Sequence, residues 1–366
     1  MTQAHATAAA SAGHPPVDLR SDTVTRPTPA MYERIASAPL GDDGLDGDPT
    51  ARALEAATAA LLGKEAALYV PSATMANLLA ILAQAERQEL VLAEAASHIY
   101  VTERGAGALT GTFYEGIAGV DGAMDLDRLA DALAPGRHKL PAGVVCMESS
   151  HNNAGGTVLP LAHMQAVFEA SKRVGACVHL DGARLTNAAV ALGVPAAEIA
   201  AFTDTVSLCL SKGLSAPMGA VLAGSAGTIE RARSLRKILG GSQRQVGIVA
   251  AAGLVAVTSM VERLADDHAA ARRLAQGIRQ VRGLSANEPQ TNIVQVDVSA
   301  TGLDAAQWEL ELRCLGVLVR PWGRQRLRCV THRHVGEREV ELAMEAFAAV
   351  ATKYARDSRD TRGAAA

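Results

Sequence analysis

Aromatic side chains are scarce in this chain of 366 residues: four Phe, five Tyr and two Trp, 3% in all. A core without them must be filled by Ala, Leu and Val, and the 49% hydrophobic content provides for that. An excess of one charge is lacking too. The 35 Lys and Arg stand against 38 Asp and Glu, a net charge of −3, which argues against nucleic acid or an anionic membrane as the main partner. Cysteine offers no framework. Cys146, Cys177, Cys209, Cys314 and Cys329 are odd in number and widely spaced, with no CxxC and no zinc-type Cys/His cluster. Unpaired thiols fit a reducing compartment, so the cytoplasm is the expected location. No apolar run reaches the roughly 18 residues of a membrane helix, because Gly, Ser or a charge interrupts each one. Residues 1–16 are rich in Ala, His and Ser and lack the basic and apolar segments of a secretory signal. They and residues 357–366 are expected to be disordered tails.

What is present is a well-buried globular chain, longer than the roughly 250–300 residues at which single cores stop growing. Two domains are expected, with a boundary near residue 260: a large one over 17–260 and a small one over 261–356. In the first, short apolar runs alternate with helical patterns. Strands are expected at 66–71, 90–93, 143–147, 177–180, 205–210 and 219–223, and helices at 75–83, 164–174 and 189–192. That alternation implies βαβ units and a mostly parallel, buried sheet. Beyond residue 250, Met260, Leu264, Leu274 and Ile278 lie on one stripe of a long amphipathic helix. Strands at 293–298, 317–320 and 327–330 and a last helix at 337–353 complete a smaller α+β domain. Trp308 and Trp322 read as packing residues.

Two opposite charges end apolar runs: Asp181 after CVHL and Lys212 after TVSLCL. In parallel sheets ligands sit at the carboxyl ends of strands. A carboxylate that keeps a pyridine nitrogen protonated and a lysine that forms a Schiff base are the two groups pyridoxal phosphate requires. A structural Asp–Lys salt bridge accounts for the same pair. The Pro71-Ser72-Ala73-Thr74 link between strand and helix puts free amides and two hydroxyls at a helix N-terminus, a phosphate cradle or an ordinary cap. His98 and His151 are placed where one imidazole could stack on a cofactor and another move a proton, or where both are structural. Arg328, at the end of an apolar strand, could clamp a substrate carboxylate or lie on the surface.

These residues sit inside longer strings: DLRSDTVTRPTPAM (18–31), GDDGLDGDPT (41–50), LLGKEAALYVPSATMAN, HLDGARLTNAAVALG, LCLSKGLSAPMGAVLAG, RKILGGSQRQVG and RLRCVTH. In that order, over about residues 18–350, the chain resembles the low-specificity L-threonine aldolases. The resemblance implies a pyridoxal 5′-phosphate enzyme with an aminotransferase-like, fold type I large domain. It implies retro-aldol cleavage of L-threonine, L-allo-threonine and related β-hydroxy-α-amino acids to glycine and an aldehyde. Lys212 would carry the cofactor, Asp181 meet the pyridinium nitrogen and Arg184 the 3′ oxygen. Ser72, Ala73, Thr74 and Ser211 would hold the phosphate. His98 would stack on the ring, and His151 would lie near the substrate hydroxyl as first candidate for its base, with His98 second. Ser21 and Arg328 would bind the carboxylate. Leu45, Lys237 and Arg244 match positions that reach a neighbouring subunit's site, so a homodimer or homotetramer with shared active sites is implied. No metal is implied. Ala73 replaces a usual Gly and Leu45 a usual Tyr, and Thr102 and Arg104 also depart from the pattern. The altered side-chain pocket keeps a bulkier or α-substituted β-hydroxy amino acid open as substrate, the cofactor residues alone do not distinguish β-elimination or transamination on the same scaffold, and a catalytically silent regulatory or binding protein is the alternative from another class.

Overall fold

The computed structural model describes residues 15–363, so nearly all of the tail expected over 1–16 lies outside the described residues, as do 364–366. The chain divides into two units. One is Thr25–Leu264, built on a seven-stranded sheet: β1 (Ala66–Val70), β2 (Leu90–Glu94), β3 (Phe113–Ile117), β4 (Ala142–Glu148), β5 (Cys177–Gly182), β6 (Thr205–Cys209) and β7 (Ala220–Gly224). The order is β1-β7-β6-β5-β4-β2-β3. Only β7 runs against its neighbours; the other pairings are parallel. Strands β2, β6 and β7 are buried at every position. Helices therefore cover both faces, which is why these strands read as unbroken apolar runs rather than alternating ones.

Three helices of this unit show the local logic. In α1 (Pro49–Leu62), Asp48 accepts from the amides of Thr50 and Ala51, proline opens the first turn, and Gly63 closes the helix at φ +61°. Helix α2 (Ala73–Gln84) follows β1 directly and is capped by Ser72, whose Oγ accepts from the Met75 amide at 3.2 Å. Helix α3 (Gly247–Ser259) packs so closely that a Cβ on Gly253 would stand 2.7 Å from Leu54 Cδ2 and 3.0 Å from Leu210 Cδ1. Gly253→Ala is accordingly expected to destabilise the protein by about 1–3 kcal/mol through overpacking. A thermal melt checks this, and an unchanged Tm would mean that Leu54 and Leu210 can give way.

The other unit joins residues up to Val24 with those from Ala265 onward. Ser285–Ala286, Ile293–Asp297, Arg326–Val330 and Arg320–Pro321 form an antiparallel sheet. Its core includes Leu19, Leu274, Ile278, Trp308 and Phe347. Trp308 is fully buried, stacks on Phe347 at 5.8 Å and donates from Nε1 to Thr301 Oγ1.

Three expectations change here. Residues 17–24, expected with the large domain, belong to this second unit. Val17–Asp18 pairs in parallel with Val317–Leu318, and Val17 and Leu19 enter its core. The single long helix through Met260 is two helices, α3 and a second over Leu264–Arg279. The apolar stripe is shared between two cores: Met260 and Leu264 pack in the first, Leu274 and Ile278 in the second. The last helix does not stop at Lys353 but runs over Glu337–Gly363, taking in part of the segment expected as a tail. No single helix among the described residues is long and apolar enough to cross a membrane. All five cysteines are free thiols.

Candidate active site

Four adjacent strands of the main sheet, in the order β2-β4-β5-β6, carry chemistry at their carboxyl ends. Glu94 ends β2, Glu148 ends β4, Asp181 lies at the end of β5, and Ser211-Lys212 follow β6. Glu148 and Asp181 are register partners.

Asp181 is buried and doubly held. Its Oδ2 accepts from Asn77 Nδ2 at 3.0 Å and its Oδ1 from the Ala183 amide at 3.0 Å. Asn77, on α2, is anchored in turn: its Oδ1 accepts from Ser207 Oγ at 2.8 Å and His179 Nε2 at 3.0 Å. Burial lowers the pKa of His179 to about 4, so its imidazole is neutral and its Nδ1 accepts from Thr205 Oγ1. This chain fixes the direction in which the Asp181 carboxylate points. Lys212 is not part of it. Among the described residues the Lys212 ammonium has no hydrogen-bond or ion-pair partner, and its backbone carbonyl accepts from Thr25 Oγ1 at 2.8 Å. No Asp181–Lys212 salt bridge is formed among the described residues, and Lys212 is half-exposed.

At the start of α2, Ser72 and Thr74 are exposed, and the first helical amides have no intrahelical acceptor. Ala73 is the first helical residue, where a methyl group meets no backbone penalty. Arg184 is buried and donates from Nη1 to Asn152 Oδ1 at 3.3 Å.

The two histidines differ. His98 is partly exposed; its amide donates to Glu148 Oε2 and its Nδ1–H to Glu103 Oε1 at 2.8 Å. The bond to Glu103 outweighs burial and raises the imidazole pKa, and the charges of Asp181 and Glu148 add to the effect. His151 is wholly buried. Its Nε2 is 3.0 Å from Glu94 Oε2 and its Nδ1 accepts from the Ala154 amide at 3.1 Å. Burial opposes its charged form, while Glu94 and Glu148 favour that form and prevail. Burial likewise raises the Glu148 carboxyl, against the pull of His151 and of two backbone amides. In the neutral ring Nε2–H donates to Glu94 and Nδ1 accepts from the Ala154 amide, so both nitrogens are engaged and this geometry offers none to a substrate hydroxyl.

Leu45, Lys237 and Arg244 line one cavity of about 590 Å³ together with Asp43, Arg233 and Arg236. Lys212, Asp181 and His98 are not part of that lining. Arg236 is buried there, bonded to Asp43 Oδ2 at 2.5 Å and to the Tyr69 carbonyl at 2.7 Å. In the second unit, Arg328 is buried and its Nη2 donates to the carbonyl of Arg20, the residue before Ser21. Its guanidinium lies 4.4 Å from the centre of the Trp322 ring, so Trp322 packs on a functional candidate rather than in the core.

Sequence reasoning missed Asn77, Glu94, Glu103 and Glu148. Glu94 and Glu148 carry the same signal as Asp181, a charge closing an apolar run. Asn77 is the one amide in the largely apolar stretch ATMANLLAILA. One donor atom each of His98, Glu103 and Asp181 lies within 4.8 Å of the others, close enough for a cation by distance alone. The partnerless amine of Lys212 and the open helix N-terminus are instead what an anionic aldehyde cofactor needs. The donor set fits pyridoxal phosphate.

The beta-eliminating lyase family matches residues 18–301. The chain is 40% identical to low-specificity L-threonine aldolase 1 of Arabidopsis thaliana, over 90% of this chain and 95% of that one. It is 38% identical to the low specificity L-threonine aldolase of Escherichia coli K12, over 88% and 96% of the two chains. The threonine aldolase structure of Leishmania major superposes with a TM-score of 0.79 at 20% identity, covering 91% of this chain and 99% of that one. The fold is thus the aminotransferase-like fold type I. The chain belongs to the beta-eliminating lyase family and, within it, to the low-specificity L-threonine aldolases.

Proposed function

We propose that this lyase cleaves L-threonine, L-allo-threonine and related β-hydroxy-α-amino acids to glycine and an aldehyde, with pyridoxal 5′-phosphate as cofactor. The observation that carries the proposal is the partnerless Lys212 amine following the end of β6, with the Asp181 carboxylate, pinned by Asn77 and Ala183, at the end of the neighbouring β5. When bound, the cofactor supplies the sink for the electrons released as the Cα–Cβ bond breaks. Lys212 Nζ would be the group that holds it covalently. Asp181 keeps the proton on the ring nitrogen, and Arg184 meets the 3′ oxygen. Ser72 and Ser211 would take the phosphate through their hydroxyls, and Ala73 and Thr74 through helix-start amides. Arg328 and Ser21 hold the carboxylate and so choose which bond at Cα breaks. His98 stacks on the ring. Because both nitrogens of His151 are engaged, the hydroxyl proton is assigned to His98 Nε2, with His151 positioning the loop through Glu94 and Ala154.

Leu45, Lys237 and Arg244 are assigned to a neighbouring subunit's site, in a cytoplasmic homodimer or homotetramer. The description of the matching family favours one second reading, β-elimination on the same residues. A product assay decides between them. The purified protein, supplied with pyridoxal phosphate, is expected to be yellow and to release glycine and acetaldehyde from L-threonine and L-allo-threonine in equal amounts. Release of ammonia and a keto acid would establish elimination instead.

A further inference from the structure

Glu103 is absorbed by none of the roles above, yet its carboxylate lies at the centre of the site. It stands in a short π-helical turn, Ile99–Glu103, five residues after His98, and its side chain is only 8% exposed. Three groups converge on it. His98 Nδ1 bonds to its Oε1 at 2.8 Å, Thr74 Oγ1 donates to the same oxygen at 3.1 Å, and Asn77 Nδ2 lies 3.3 Å from Oε2. Thr74 belongs to the helix start that would take the phosphate. Asn77 is the residue that pins Asp181. His98 would cover the ring. One buried carboxylate therefore ties together the three sides of the cofactor site.

The chemistry of the His98 contact is specific. An ionised carboxylate only accepts hydrogen bonds, so Nδ1 must carry the proton and Nε2 is left with its lone pair. Among the described residues, no group engages His98 Nε2. This is the arrangement by which a buried acid fixes the tautomer of a catalytic histidine and steadies the cation formed when it accepts a proton.

We propose that Glu103 is a positioning residue for the retro-aldol step. It holds His98 with Nε2 as the proton acceptor for the substrate hydroxyl, and it locks that ring to Thr74 and Asn77. The hydroxyl proton passes to Nε2 and the O–H electron pair closes the aldehyde carbonyl as the Cα–Cβ bond breaks, its electron pair going to the sink that the cofactor would supply. The inference rests on the retro-aldol reading.

The charged groups facing His98 are Glu103 from its own turn, Asp181 from β5 and Glu148 from β4. All three favour the imidazolium, and Glu103 contributes most. His98 acts only when neutral, so the rate falls as the pH drops through its pKa. Loss of the Glu103 charge lowers that pKa and moves the acid limb of kcat/KM to lower pH.

The test compares wild type, Glu103→Gln, Glu103→Asp and His98→Gln as full chains, with and without added pyridoxal phosphate. The His98 imidazole is followed by NMR titration, its signal assigned by its loss in His98→Gln. Glu103→Gln is expected to lower the His98 titration midpoint, to shift the acid limb of kcat/KM in the same direction and to reduce kcat about 10- to 100-fold. KM is expected to change little. Glu103→Asp should restore part of kcat and of the midpoint. A Glu103→Gln protein that loses stability or cofactor affinity with both midpoint and acid limb unmoved would overturn the proposal in favour of a purely structural role. The NMR midpoint is read without substrate. A wild type that releases no aldehyde therefore sinks the retro-aldol reading, while the titration separately reports whether Glu103 controls His98.

Discussion

Lys212→Ala abolishes the long-wavelength absorbance of the cofactor-loaded protein and lowers aldehyde release by at least about 1,000-fold; this is the largest effect expected from one substitution. Two roles vanish together: the covalent hold on the cofactor and the amine that exchanges with substrate. The structure adds a control. The ammonium of Lys212 has no partner among the described residues, so its removal breaks no ion pair and leaves no buried charge. Stability without cofactor is expected to stay within about 0.5 kcal/mol of wild type. A melt and an absorbance spectrum on the same preparations separate loss of chemistry from loss of fold. A Lys212→Ala protein that keeps its colour and turnover would refute the assignment.

Asp181→Asn is the second large effect. The substitution keeps the volume of the side chain but removes the charge that opposes the ring nitrogen's proton. Turnover is expected to fall about 100- to 1,000-fold, the scale of losing one charged stabiliser in a dry site. The effect should fall on kcat more than on KM, because the carboxylate contact strengthens as electrons move toward the ring. Asp181→Ala should show the same catalytic loss plus a stability loss of about 1–3 kcal/mol, since Asn77 Nδ2 and the Ala183 amide lose their acceptor in a buried site. Steady-state kinetics and melts of the two variants separate loss of the charge and one acceptor, in Asp181→Asn, from loss of both acceptors, in Asp181→Ala. Equal kcat in Asp181→Asn and wild type would mean that the ring nitrogen is not held by this residue.

The frame of the site was legible because the sheet is covered on both faces. Strands such as LVLAE and AGVVCME then read as closed apolar runs, and a charge at the end of a run is conspicuous. Asp181 and Lys212 stand out on that rule alone. Asn77 does not, because its partner Asp181 is 104 residues away. His151 looked like an available base for the same reason: its Glu94 partner lies 57 residues earlier, and the Ala154 amide reaches it only through a turn that no local pattern marks. The break after Met260 was hidden because a stripe serving two cores has the same spacing as one serving a single core. The pairing of Val17–Asp18 with Val317–Leu318 was beyond local reading, since a two-residue strand carries almost no pattern.

That last pairing has a consequence for biogenesis. Thr25–Leu264 is continuous along the chain and can begin to fold as soon as the ribosome has released it. The second unit is discontinuous. Val17 and Leu19 leave the ribosome some three hundred residues before Val317 and Leu318 do. At the roughly 5–20 residues per second of translation, the leading segment waits on the order of fifteen seconds to a minute for its partners. A nascent chain stalled before residue 317 would carry a folded larger unit with Val17 and Leu19 still uncovered, a segment suited to capture by a chaperone.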